Sequence, residues 1–314
     1  MELKQGVEAL KQALSKVWLG ESEIAEYLIM SILAEGHVLM DDVPGVGKTL
    51  LAKAFSKLMG GKFRRIQCTP DLLPGDLLGM EVYQPQSGNF AWRVGAVETN
   101  VLLVDEINRA VPRTQSALLQ AMEERSISRV GQVVELPKPF LVLATENPVE
   151  FEGTFPLPEA QRDRFLVSLS LGYPGRERER DLLTGPDRSE LASALTAIVP
   201  LESWALFQQQ SQAIHASPLV LDYLQDLTAL TRNDPLLALG LSPRAARQWF
   251  KAAQALSYIR GFDYVRPDEV QELFPLVGHH RLWLKGSARV KGATVKTVLN
   301  TILTQVKVPV VEKA

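Results

Sequence analysis

Residues 37–58 read His37-Val-Leu-Met-Asp-Asp-Val-Pro-Gly-Val-Gly-Lys-Thr49-Leu-Leu-Ala-Lys-Ala-Phe-Ser-Lys-Leu58. An apolar run (His37–Met40) leads through a turn with two glycines into an amphipathic helix (Thr49–Leu58). A short continuous apolar run is what a strand buried on both faces requires. Between strand and helix lies the candidate nucleotide-binding segment Asp42-Val43-Pro44-Gly45-Val46-Gly47-Lys48-Thr49-Leu50. Backbone N–H groups at a helix start, together with the positive end of the helix dipole, hold phosphate oxygens. Gly45 and Gly47 let the backbone come close, Lys48 reaches the outer phosphates, and the Thr49 hydroxyl is a candidate Mg²⁺ ligand. Asp42 stands where the first glycine of this pattern is expected, and Asp tolerates the left-handed conformation better than most residues. The plainer alternative is a Pro-Gly turn followed by a lysine. It leaves the strand before and the Lys-Thr pair opening the helix unexplained.

Outward from this segment the same alternation continues. Phe63–Cys68, Val101–Val104, Phe140–Ala144 and Phe165–Leu169 are further short apolar runs separated by helical patterns, which predicts a five-stranded parallel sheet covered by helices. Upstream, Leu3, Val7, Leu10, Leu14 and Val17 mark one helix face, and Ile24, Leu28, Ile32 and Leu33 a second. Two stretches break the scheme and read as inserted hairpins: Glu81–Tyr83 with Phe90–Val94, and Ile127–Arg129 with Val133–Leu136 around Val130-Gly131-Gln132. After Gly172-Tyr-Pro-Gly175 the strand runs stop and the remainder reads as helical. The expected organisation is an α/β domain over residues 1–173 and a linker with a smaller all-helical domain over 174–314.

Val101-Leu-Leu-Val-Asp-Glu106 is an apolar strand that ends in two acids. In open α/β sheets, side chains at the strands' carboxyl ends face the ligand crevice. Asp105 is the candidate to hold Mg²⁺ through its water shell, and Glu106 the candidate to orient or deprotonate an attacking water. An Asp-Glu strand end is common by itself. Downstream of a phosphate loop it points to hydrolysis of ATP.

At this point the sequence resembles the MoxR-type AAA+ ATPases. The matching strings include Asp41-Asp-Val-Pro-Gly-Val-Gly-Lys-Thr49, Asp71-Leu-Leu-Pro-Gly-Asp76, Asp105-Glu-Ile-Asn-Arg-Ala110, Ala144-Thr-Glu-Asn-Pro148, Asp163-Arg-Phe165 and Leu241-Ser-Pro-Arg-Ala245. They run over about residues 18 to 282, and the Asp-Glu-Ile-Asn-Arg-Ala and Ser-Pro-Arg-Ala strings are more specific than the phosphate loop. The resemblance implies an AAA+ domain with two hairpin inserts followed by a helical lid, and ATP or ADP with Mg²⁺ as ligands. It further implies a homo-oligomeric, hexameric ring and a remodelling or maturation chaperone working with a von Willebrand factor A domain protein. It assigns Asn147 as the sensor of the γ-phosphate or attacking water, where the plain reading of Asn147-Pro148 is a turn. It assigns Arg164 as the arginine finger serving a neighbouring subunit, the alternative being an ion pair with Glu159 or Asp163. Two positions depart from its pattern: Glu146 replaces a common Gln, and Arg162 replaces an apolar residue and is a second candidate finger.

Arg244 also has an argument from its position. Ser242 reads as an N-cap and Pro243 as the first helical residue, which puts Arg244 in the first turn, where a cation opposes the helix dipole unless an anion is near. The resemblance makes it the second sensor, reaching ATP.

Composition bounds the remaining alternatives. The chain has 314 residues, 46% hydrophobic and 22% charged, with a net charge of −2 and a pI of about 6.2. That is ordinary for a globular protein of roughly two domains and lacks the basic excess of a nucleic-acid motor on the same fold. A nucleotide-gated scaffold with little turnover is disfavoured by the intact Asp105–Glu106 pair. Cys68 is the single cysteine, so no internal disulfide forms. Met1-Glu-Leu-Lys-Gln-Gly6 lacks a signal-peptide core, and no apolar run reaches the roughly 18 residues of a membrane helix. A cytoplasmic protein is expected. His279 and His280 are adjacent and lack ligand-spaced companions, which excludes a metal-enzyme pattern. Cys68 reads as packing, and Trp249 and Phe250, with Ala253 and Leu256, as a core helix face.

Overall fold

The structure is a computed structural model describing residues 3–41, 45–146 and 153–309. Helices α1 (Leu3–Ser15) and α2 (Ser22–Leu33) come first. They are followed by β1 (Val38–Asp41), α3 (Lys48–Leu58), β2 (Phe63–Gln67), α4 (Pro74–Leu78), β3 (Gly79–Gln84), β4 (Asn89–Val94) and β5 (Val101–Asp105). Then come α5 (Pro112–Glu124), β6 (Ser126–Arg129), β7 (Gln132–Glu135), β8 (Leu141–Glu146), α6 (Glu159–Arg162) and β9 (Val167–Leu169). Strands β1, β2, β5, β8 and β9 form one parallel sheet in the order β2-β5-β8-β1-β9. All five apolar runs are strands of this sheet.

The interior strands β5 and β8 are buried at every residue. Burial on both faces fails at β2, whose Phe63-Arg-Arg-Ile-Gln67 is half-buried or exposed, because it is an edge strand with a single neighbour. The other edge, β9, is fully buried, since α12 (Pro267–Gly278) packs over it. Parallel register aligns the strand ends. Asp41 pairs with Glu146, and Gln67 with Asp105, so four polar side chains fall along the carboxyl edge of the sheet.

The sheet separates two hydrophobic cores. On one face Val38, Met40, Val101 and Leu103 meet α1, α2, α3 and the helices beyond β9. On the other, Leu39, Leu102, Val104 and Val142 meet Leu118, Leu119 and Met122 of α5. Val7, Leu10 and Leu14 of α1 are buried, as is Val17 just beyond it; the Leu3 side chain lies outside the described residues.

Both hairpins lie outside the main sheet, as β3–β4 and β6–β7. The second closes on two left-handed residues, Val130 (φ 51°) and Gly131 (φ 77°), the signature of a type I′ turn. The two hairpins touch: the Arg129 guanidinium lies 5.0 Å from the centre of the Trp92 ring.

Beyond β9 come α7 (Arg176–Thr184), α8 (Arg188–Ala194), α9 (Ser203–Gln212), α10 (Pro218–Asn233), α11 (Pro243–Ile259), α12 (Pro267–Gly278), α13 (Gly286–Val290) and α14 (Val295–Gln305). Among the described residues this part is helical apart from a small antiparallel ribbon, β10 (Leu237–Leu239) with β11 (Trp283–Leu284), and an isolated bridge between His215 and Tyr264. Strands of three and two residues are too short to carry a period-two signal. Trp249 is fully buried, stacks on Phe274 at 5.0 Å and donates to the Val270 carbonyl at 3.1 Å. It is core, with Phe250 half-buried beside it.

Candidate active site

The candidate nucleotide-binding segment follows β1 in the chain and runs into α3. Gly47 is the N-cap of α3, in the left-handed region at φ 86°, and Gly45 has the same φ, a conformation most side chains avoid. A Cβ on Gly47 would also sit 3.3 Å from the Trp18 ring. Asp42, Val43 and Pro44 lie outside the described residues.

A cleft of about 500 Å³ opens at the carboxyl ends of the strands. Gly45, Gly47, Lys48, Thr49 and Leu50 form one wall, and Asp105 and Glu106 stand opposite. The cleft has the size of a small-ligand site. Val46 instead faces a neighbouring apolar hollow of about 120 Å³, lined by Trp18, Leu50, Leu171 and Pro174 among others.

Both acids are held by partners that sequence reading missed. Asp105 accepts from Arg65 Nε at 2.6 Å. Glu106 accepts from Gln67 Nε2 at 2.7 Å and from Arg109 at 3.1 Å. Glu106 has φ 55°, uncommon for a residue with a side chain and a mark of functional sites. Its N–H donates to Thr145 Oγ1 at 2.8 Å. Arg65, Gln67 and Thr145 also line the cleft, as do Lys53 and Ser189 of α8. The available signal was positional: Arg65, Gln67 and Thr145 lie at or beside carboxyl ends of strands already identified.

Asn147 lies outside the described residues. Before it, Glu146 ends β8, only 6% exposed, and accepts from Arg162 Nη2 at 2.7 Å. Burial raises its carboxyl above the usual range, opposed by Arg162 and reinforced by Asp41. The two departures from the family pattern thus form one ion pair.

Arg164 and Arg244 are brought together, away from the cleft at Lys48. Arg164 Nε and Arg244 Nη1 reach the two oxygens of Glu123 at 3.1 and 2.9 Å. They line a second cleft of about 430 Å³ with Arg125, Arg247, Lys251 and His37. His37 precedes β1 and Leu166, also in its wall, precedes β9, so this cleft lies at the amino edge of the sheet. The four residues of β1 alone span on the order of 13 Å. In this arrangement Arg244 therefore stands apart from its own chain's cleft at Lys48. Arg164 does not pair with Glu159 or Asp163, because Asp163 is taken by Arg281 and Ser242. Ser242 is the N-cap of α11 and accepts from Ala245 N at 3.0 Å, so Arg244 does occupy the first turn. The anion it meets is Glu123.

Cys68 is buried, and burial, with Asp105 and Glu106 nearby, pushes its thiol up to about 12, which suits packing and not attack. His280 is buried with a ring nitrogen 3.0 Å from the Phe165 carbonyl.

Residues 37–167 match the model of the ATPase family associated with various cellular activities (AAA), and residues 229–302 match an AAA lid domain. Chaperone MoxR1 of Mycobacterium tuberculosis is 39% identical, over 94% of this chain and 80% of that protein. Protein MoxR of Methylorubrum extorquens is 31% identical, over 91% of this chain and 90% of its own. A crystal structure from Cytophaga hutchinsonii superimposes with a TM-score of 0.91 at 33% identity, covering 98% of this chain and 96% of that one.

Proposed function

Because the chain belongs to the MoxR-type AAA+ ATPases, we propose that it hydrolyses ATP with Mg²⁺ as a subunit of a hexameric ring and uses the cycle to remodel a client protein. The observation that carries this reading is the cleft in which Lys48 and Thr49 face Asp105 and Glu106.

The loop N–H groups between Gly45 and Thr49 cradle the phosphates, and Lys48 draws the outer ones. The adenine lies in the apolar hollow beside Trp18 and Val46, which adjoins the loop glycines. Thr49 and Asp105 would hold Mg²⁺, in keeping with a hard cation that takes few protein oxygens. Among the described residues no cluster of three or more His, Cys, Asp or Glu forms a metal cage. Bound there, the cation would supply positive charge that offsets the charge of the phosphates. Glu106 leaves Gln67 and takes a proton from the attacking water as its oxygen bonds to the γ-phosphorus and the bond to ADP breaks. Asn147 orients that water or the γ-phosphate.

Arg164 and Arg244 act on a neighbouring subunit's nucleotide. Their place on the sheet edge opposite the chain's own phosphate loop supports this reading, as does the basic lining of their cleft. A polyanion presented by a neighbour would displace Glu123 from both. Remodelling is supported by the exposed Tyr83, Phe90, Val130 and Val133 on the two hairpins. A von Willebrand factor A domain partner, a cytoplasmic location and a division at residues 173/174 belong to the same proposal. No helix among the described residues is long and apolar enough to cross a membrane.

The test is ATP turnover and nucleotide titration of wild type and Lys48→Ala, with and without Mg²⁺. Magnesium-dependent turnover with loss of tight binding in the variant is expected. Equal affinity in the two proteins would refute the phosphate-loop assignment.

A further inference from the structure

Arg162, Asp163 and Arg164 are consecutive, and each is tied to a different part of the molecule. Arg162 closes α6 and binds Glu146, which lines the phosphate cleft. Asp163 accepts from Arg281 Nε and Ser242 Oγ, each at 2.8 Å. Ser242 caps α11, so Asp163 grips the lid. Arg164 holds Glu123 in the second cleft. Backbone bonds from Asp163 to Glu159, Arg164 to Gln161 and Phe165 to Arg162 continue the four-residue helix, so the three side chains ride on one turn.

The ion pair at the start of this chain is incompletely satisfied. Among the described residues, Glu146 Oε1 and Arg162 Nε are buried with no hydrogen-bond partner. An unmet buried carboxylate oxygen carries a desolvation cost, and such groups in native structures call for an explanation. Glu146 also has Asp41 as its register partner on β1, so the carboxylate end of this pair faces further negative charge. Phosphates entering the cleft would repel Glu146 and attract Arg162. Cleft occupancy therefore changes the strength of this one contact, the kind of difference through which a ligand shifts a conformational equilibrium.

We propose that Arg162, through its buried ion pair with Glu146, is a positioning residue that transmits occupancy of the phosphate cleft to the 162–164 turn, and through Asp163 to the lid. The proposal rests on the nucleotide reading of the cleft.

The experiment compares wild type with Arg162→Met, Arg162→Lys, Glu146→Gln and the Glu146→Gln/Arg162→Met double variant. Amide hydrogen exchange at residues 159–166 and 242–246 is measured with and without a non-hydrolysable ATP analogue, beside fluorescent-nucleotide titration and steady-state kinetics. Wild type is expected to gain nucleotide-dependent protection at 242–246. Arg162→Met is expected to bind nucleotide within about threefold of wild type, to lose that protection, and to fall about tenfold in kcat with little change in KM. Arg162→Lys is expected to recover part of both. The double variant is expected to be no worse than Arg162→Met alone, since coupled sites are non-additive. A purely structural pair would lower thermal stability without separating kcat from KM. Wild-type protection in Arg162→Met, or effects of the two substitutions that simply multiply, overturns the proposal. If Arg162→Met does not fold, Glu146→Gln, which keeps size and an acceptor, carries the test, with weakened protection at 242–246 expected and unchanged protection overturning it. Failure of the nucleotide reading looks different: wild type and Lys48→Ala would then bind the analogue equally poorly.

Discussion

Glu106 is constrained in both backbone and side chain. Its backbone is held left-handed at φ 55° by the N–H bond to Thr145, and its carboxylate is held by Gln67 and Arg109. Glu106→Gln keeps the shape and can still hydrogen-bond water but cannot accept its proton. Nucleotide affinity is expected to hold within a few-fold while turnover falls by about 10²-fold or more. Single-turnover hydrolysis and titration check this, and turnover at the wild-type rate would remove Glu106 as the base. His37 gives a second residue-scale expectation. Its ring meets the Met122 carbonyl at 3.1 Å and accepts from Val142 N–H at Nδ1 at 3.1 Å. Burial, with Arg125 nearby, lowers its pKa to about 3. Between about pH 6.5 and 3 the unfolded chain therefore binds a proton that the native state refuses, and stability falls as pH falls. The slope from this group is about 1.4 kcal/mol per pH unit. Burial moves His280 in the same direction. Urea unfolding from pH 7 to 5 should show the decline, and His37→Gln should flatten part of it. An unchanged slope in the variant would count against a neutral His37.

Among the elements, the β6–β7 hairpin breaks a local rule. Val130 is exposed and occupies a left-handed position at φ 51°, where a β-branched residue is strained at a cost of about 1–2 kcal/mol. Asn accepts that conformation, and Asn-Gly is the preferred pair for such a turn. Val130→Asn is expected to stabilise the protein by about 1 kcal/mol in urea unfolding. If Val130 serves client contact, client-stimulated ATPase activity should drop in the same variant. A destabilised protein would speak against the turn geometry. Rule-breaking without a structural gain is the pattern expected at functional surfaces. The hairpin itself was legible from its flanking apolar residues and Gly131. The left-handed Val130 was not, because Val gives no signal for that conformation.

At the scale of the molecule, two clefts lie on opposite edges of one sheet. If Arg164 serves a neighbour, Arg164→Ala should bind ATP and hydrolyse it slowly, by on the order of 10³-fold, while Lys48→Ala fails to bind. Mixing the two with subunit exchange creates joints where an intact phosphate loop faces an intact finger, and activity should return. Exchange shown by labelled subunits with activity still at background would exclude the trans role. The sequence by itself determined the five parallel strands, the two hairpins and the Gly-x-Gly-Lys-Thr turn with its Asp105–Glu106 counterpart. Each of these is written in adjacent residues: an apolar run, a Gly-x-Gly-Lys-Thr turn, two acids closing a strand. Only the tertiary structure decided that Gln67 and Arg65 hold the two acids, that Glu146 and Arg162 are partners, and that Arg244 sits with Arg164 on Glu123. Parallel strands pair across long crossovers, so neighbours at the sheet edge are tens of residues apart in sequence. A charged side chain carries no local mark of which distant opposite charge it will meet.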